Sequence, residues 1–205
     1  MSSTALAIEQ RLSRQAAHFY YSLSVVKPYH LTAGIFNYRV DDIFTSQMPV
    51  KILVGFVTSA AYNGELTSSP FYFNPSDRIE SIEFFKNGIR TGLQRTMPID
   101  VTANTVNLHT AYRELTNAVT GSNSEKSLPF SLSQYRLGYF FYGLDLTSDG
   151  FDNSPHRYPV EQGSISVHVK FRQALQAALQ MVVYATFQET MSVNRSRAIV
   201  TTVNV

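Results

Sequence analysis

The chain has 205 residues, of which 44% are hydrophobic and 16% charged, the balance of a folded domain with a sizeable core. Seventeen Lys and Arg against fifteen Asp and Glu leave a net charge of +2, and no run of five like charges forms the cluster that a nucleic-acid groove needs. Cysteine is absent, which excludes disulfides and thiolate metal sites.

In chain order, the start from Met1 to Leu12 lacks the uninterrupted apolar core of a signal peptide, and no stretch of about 18 apolar residues follows. Neither secretion by that route nor a membrane span is expected, so Asn194-Arg195-Ser196, which fits the glycosylation sequon, should stay unmodified. Good helix formers from Thr4 to Ala17, with Leu6, Ile8, Leu12 and Ala16 as a loose apolar stripe, predict a helical arm over residues 1–19. From Tyr20 the chain turns to short aromatic and β-branched runs broken by Pro, Gly, Asn and Asp, which predicts a single β domain over 20–205.

Val50 to Val57 is almost continuously apolar, so both faces of that strand should meet protein. Asp77 to Lys86 carries Ile79, Ile82, Phe84 and Phe85 and leads into Asn87-Gly88, the pair favoured in tight hairpins. Between Asn104 and Val119 the period changes: Leu108, Ala111, Tyr112, Leu115 and Val119 mark one face of an inserted helix, which Gly121 can terminate. A polar loop through Thr120 to Lys126 precedes the β-prone run Gly138 to Thr147, and Asp149-Gly150 with Pro155 and Pro159 marks another loop. Two strands then alternate. Ile165, Val167, Val169 and Phe171 oppose Ser164, Ser166, His168 and Lys170, and Leu179, Met181, Val183, Ala185 and Phe187 repeat the parity. No repeat of 20 to 50 residues and no low-complexity tract intervenes, so the fold class expected is mostly β, an antiparallel sandwich with helical insertions.

Reactive constellations are missing. His18, His30, His109, His156 and His168 are scattered, with no metal-ligand spacing, and read as structural or solvated. No nucleophile elbow, Walker loop or dinucleotide glycine motif occurs. Asp41-Asp42 is the one adjacent acid pair, and on an extended chain its side chains diverge, so it reads as a solvated turn and not a calcium or catalytic site. Neither catalytic residues, metal nor cofactor is expected, and the protein is read as no enzyme. Twelve Tyr and fourteen Phe chiefly fill a core, although a sheet displaying Tyr20, Tyr21, Tyr139 or Tyr142 could stack a sugar.

Met48-Pro-Val-Lys-Ile-Leu-Val-Gly-Phe-Val-Thr-Ser-Ala-Ala-Tyr-Asn-Gly64, followed by Ser69-Pro-Phe-Tyr-Phe-Asn74, resembles the double jelly-roll major capsid proteins of Polinton (Maverick) elements and adintoviruses, in their C-terminal roll. Phe84 to Gly88, Ala111 to Leu115, Gly138 to Thr147, Gln162 to Val167, Met181 to Phe187 and Asn194 to Val200 are similar to further stretches of that family, in the same order. The departures are Ser69, where the family has Asn, and Asn74-Pro75 after the Phe-x-Phe. The resemblance implies a jelly-roll sandwich that assembles with its own kind into a trimer or larger capsomer, in a virion or inside a host cell. It covers only the second of two rolls, so the chain reads as a fragment, a decayed insertion or a single-roll paralogue. A ligand-binding sandwich, possibly for carbohydrate, is the alternative.

Overall fold

A computed structural model describes residues 3–69, 79–91, 106–121, 127–147, 159–194 and 196–201. Helix α1 (Ser3–Arg14) leads into β1 (Ala17–Leu31), β2 (Asn37–Phe44), β3 (Lys51–Thr58), the short α2 (Ser59–Tyr62), β4 (Ile79–Lys86) and β5 (Ile89–Thr91). Helices α3 (Val106–Thr120) and α4 (Leu132–Leu137) then precede β6 (Phe141–Asp145), β7 (Ile165–Phe171), β8 (Leu179–Val193) and β9 (Ile199–Thr201). The N-terminal helix is shorter than expected, because β1 already begins at Ala17, inside the predicted arm.

The strands form two antiparallel sheets, one in the order β1-β8-β3-β6 with β9 added to β8, the other in the order β2-β7-β4-β5. Each sheet interleaves strands from distant parts of the chain, the signature of a jelly roll. The predicted fold class is therefore the observed one. Inward-facing Leu31, Ile52, Val54, Phe56, Val183 and Phe187 of the first sheet meet Phe44, Ile79, Phe84, Val167 and Phe171 of the second in one core. Phe44 and Phe187 cross it edge to face at 5.1 Å, and Phe56 and Phe171 at 6.3 Å, the geometry aromatic quadrupoles favour.

The predicted alternation holds in β7 and β8, with two exceptions on the polar parity, Ser166 and Thr186, which are both buried; the Ser166 hydroxyl accepts the Asp42 N–H at 3.2 Å. That contact also corrects the reading of Asp41-Asp42. The pair lies within β2, where the register shifts between Val40 and Phe44 and Asp42 takes φ 51, so it forms a bulge and not a turn. Asp tolerates the left-handed region better than most residues.

Asn87 (φ 51) and Gly88 (φ 76) make the expected hairpin turn between β4 and β5. Asn87 does more than turn the chain, since its Oδ1 accepts the Ser164 N–H at 2.8 Å and its own N–H donates to the Ser164 carbonyl at 2.9 Å. Gly163 leaves room for this clasp, since a Cβ there would collide with the Asn87 amide. Asn87→Ala removes the side-chain bond and places a Cβ-bearing residue of poor αL tolerance in the turn. It is expected to lower stability by about 1 to 2 kcal/mol in a urea titration, and an unchanged midpoint would contradict the clasp.

Candidate functional site

Helix α3 lies on the outer face of the five-stranded sheet, over β6 and the neighbouring part of β3. Its seat is Gly143, where a Cβ would stand 2.8 Å from Leu115 Cδ1, 2.9 Å from Leu53 Cδ2 and 3.0 Å from the Leu115 Cα. With no side chain at 143, Leu53 and Leu115 close over the strand, and β3 is covered on both faces as its apolar run predicts. Leu108, Ala111, Leu115 and Ala118 form the buried stripe of α3, while Val119 is 39% exposed. The stripe is thus rotated toward Ala118 relative to the predicted one, which followed the larger side chain. Gly121, at φ 83, ends the helix as expected.

Helix α4 was not legible in the apolar periodicity. Its signal is Ser131-Leu-Ser-Gln134, a capping box in which the Ser131 hydroxyl accepts the Gln134 N–H and the Gln134 side chain accepts the Ser131 N–H. Tyr135 from this helix is fully buried and its hydroxyl donates to the Phe141 carbonyl at 2.9 Å, fixing α4 to the start of β6. Around it Tyr112, Phe130 and Phe140 stand at 5.3, 6.3 and 4.8 Å between ring centroids.

Glu114 sits half-buried beside this aromatic cluster, where burial pushes its carboxyl up from 4.5 to about 7, opposed by the neighbouring Arg113. Folding therefore favours its protonated form. That contribution is fully present below about pH 4.5 and is lost as pH rises through about 7. Glu114→Gln is expected to raise stability at pH 8 by about 1 to 2 kcal/mol, a figure reduced for the carboxylate's partial contact with solvent, and to have little effect at pH 5. Thermal melts at both pH values check this, and an equal gain at both would contradict it.

The other sequence candidates do not converge. His18 and His30 stand exposed on β1, with His30 Nδ1 2.9 Å from the Gln180 amide, and His109 is exposed on α3. His168 packs its ring against Phe85 at 4.4 Å, with Nε2 3.7 Å from Asp41, too far for a hydrogen bond. His156 lies outside the described residues, as do the central residue of the Asn194 sequon and the Pro70–Asn74 segment. Among the described residues, no group of three His, Asp or Glu could hold a metal ion, and no helix is long and apolar enough to cross a membrane.

Tyr20 and Tyr21 are neighbours on β1, and Tyr139 precedes β6, so they occupy opposite edges of one sheet. Tyr142 corrects the sequence reading, for it faces the core at 7% exposure and offers no ring to a ligand. The space of about 300 Å³ beside Met48, Pro49, Val50, Leu146 and Val160 has mostly apolar walls. Its polar members are engaged: the Gln47 amide donates to the Gln188 carbonyl at 3.1 Å, and Glu161 pairs with Lys86 at 2.6 Å.

The outer face of the four-stranded sheet is polar and internally neutralised. Arg39 pairs with Asp41 at 2.6 Å, Arg90 with Glu83 at 2.7 Å and Lys170 with Glu80 at 2.8 Å. The Arg39 hydrogen bond holds the Asp41 carboxyl below its ordinary range. Exposed pairs of this kind add little stability and present no net charge to attract an anion or a cation. What the arrangement offers is shape: a sandwich with one charge-paired face and one face carrying a helical insertion.

No protein-family profile matches the chain. A curated protein of Caenorhabditis elegans, described as uncharacterized protein F54H12.2, is 28% identical over 176 residues, which are 85% of this chain and 41% of that protein. The chain thus spans about two fifths of the length of the curated relative it matches. Among solved structures, PBCV-1 VP54, fitted into a reconstruction of the virophage Sputnik, matches 100% of this chain with 55% of its own, at TM-score 0.59 and 7% identity. A quasi-atomic model of the PBCV-1 virus capsid gives 0.53 over 97% of this chain and 55% of its own, at 8% identity. The Sputnik virophage structure gives 0.52 over 92% and 39%, at 11% identity. These neighbours are double jelly-roll viral major capsid proteins, and the likeness at such low identity is one of fold.

Proposed function

We propose that this chain is a structural subunit that packs with copies or relatives of itself into a capsomer of a capsid-like shell. One observation supports the reading: the chain, with its interleaved sheet orders β1-β8-β3-β6 and β2-β7-β4-β5, is similar over its whole length to about half of the PBCV-1 VP54 chain, at a TM-score of 0.59. The scattered histidines and the charge-paired sheet face support a role performed by burial and shape, with no reaction and no cofactor. The order of the motifs from Met48 to Val200 supports a place among the Polinton, Maverick and adintovirus capsid proteins. In that setting the subunit works in a virion or inside the host cell, through a trimer or higher assembly and without specific nucleic-acid binding. A three-fold capsomer would join unlike surfaces and close by rotation.

Sedimentation velocity over a wide range of concentration tests this. Species of three or more subunits that grow with concentration are expected, and a single monomeric boundary throughout would refute the proposal.

A further inference from the structure

The five-stranded sheet ends on β1, which pairs with β8 from Ala17 to Leu31 on one side and, among the described residues, with no strand on the other. Such an edge presents a row of backbone N–H and C=O groups ready to template a second strand, and proteins blunt it with charge, with proline or with inward-turned charged side chains. β1 carries these devices, but only in its second half. Lys27 turns inward, donating to the Ile43 carbonyl at 2.7 Å over the Phe44 ring at 4.4 Å, and Pro28 follows it without a donor. Ala17 to Val26 has none of them. It contains no Lys, Arg, Asp, Glu, Gly or Pro, and it is rich in aromatic and β-branched residues, the composition of a strand that pairs with its own kind. The segment is also open to solvent, with Phe19 at 50% and Val26 at 55% exposure.

We propose that Ala17–Val26 is a docking edge at which two copies of this chain join, β1 against β1, in antiparallel register about a two-fold axis. A second copy is the occupant because the segment lacks the charges by which an unlike partner would be selected, whereas an antiparallel pair of one segment is self-complementary. Each copy gives and receives the same bonds, so the contact closes at two and consumes the open edge. Lys27-Pro28 ends the paired region and limits it to the unguarded half. The two five-stranded sheets become one continuous sheet across the axis. This contact deepens the assembly reading above and rests on it.

A symmetric register centred on the segment brings Ser22 within cross-strand reach of its own counterpart. The test uses the full chain, in which no native cysteine competes. Ser22→Cys, oxidised by dissolved oxygen with a copper catalyst, is expected to give a covalent dimer on a non-reducing gel. Ser22→Lys and, separately, Val26→Lys, both at exposed positions, should weaken dimerisation by about tenfold or more while leaving the melting temperature of the diluted protein unchanged. Larger assemblies that persist in both lysine variants, with no covalent dimer, would overturn the edge contact and leave the shell reading standing. A lysine-sensitive dimer that never grows further would uphold the edge contact and overturn the shell. A wild-type chain that stays monomeric would overturn both.

Discussion

Tyr135→Ala is expected to cost about 3 to 5 kcal/mol of unfolding free energy, the range for deleting a fully buried aromatic ring. The residue joins three parts of the molecule. Its ring packs against Tyr112 of α3 and against Phe130 and Phe140 on either side of α4, while its hydroxyl holds the Phe141 carbonyl where β6 begins. Truncation leaves a cavity among rings that cannot all close in, and it leaves the hydroxyl's acceptor without that donor. Tyr135→Phe separates the two contributions: it keeps the ring, removes the bond and should cost about 1 kcal/mol. Urea denaturation followed by far-ultraviolet circular dichroism checks both. A loss below about 1 kcal/mol for the alanine variant would mean that α4 is not anchored through this ring.

Gly143→Val is expected to cost about 1 to 3 kcal/mol, against the usual preference of strands for β-branched residues. The obstacle is the backbone of α3. The Leu53 and Leu115 side chains could swing aside, but the Leu115 Cα, 3.0 Å from where the Cβ would stand, can retreat only if the helix lifts from the sheet. Amide hydrogen exchange should therefore quicken along Val106–Thr120 while the β4–β5 hairpin keeps its protection. Uniform loss of protection, or no change in α3, would contradict the seat at Gly143. Through the half-buried Glu114, α3 should also hold less firmly above neutral pH than below it, and combining Gly143→Val with Glu114→Gln should recover part of the loss at pH 8.

The elements that sequence predicted well are those whose signal is local and doubled by backbone demand. Asn87-Gly88 announces its turn because few residue pairs accept two positive φ angles in succession, and the alternation in β7 and β8 follows from one face being dry. The helix from Leu108 to Ala118 was legible for the same reason, although the larger Val119 marks its predicted inner edge where the buried residue is Ala118. Asp41-Asp42 was misread because a bulge is set by the partner strand, here through Ser166 more than 100 residues away, and no local pattern encodes that partner. The Tyr142 ring was offered as a ligand platform, whereas parity along β6 turns it inward opposite Val54. The open edge of β1 is not legible in the sequence because nothing in Ala17–Val26 says which strand lies at the rim of a sheet. Once the sheet order places it there, its lack of charge acquires meaning.

The central claim, that the sandwich is a building block of a shell, is tested most directly by cryo-electron microscopy of the purified chain at the highest concentration it tolerates. The account expects class averages of multi-subunit rings or curved arrays in which each subunit shows two packed sheets with α3 on the outside of one. Averages containing only isolated sandwiches, at every concentration, would contradict it.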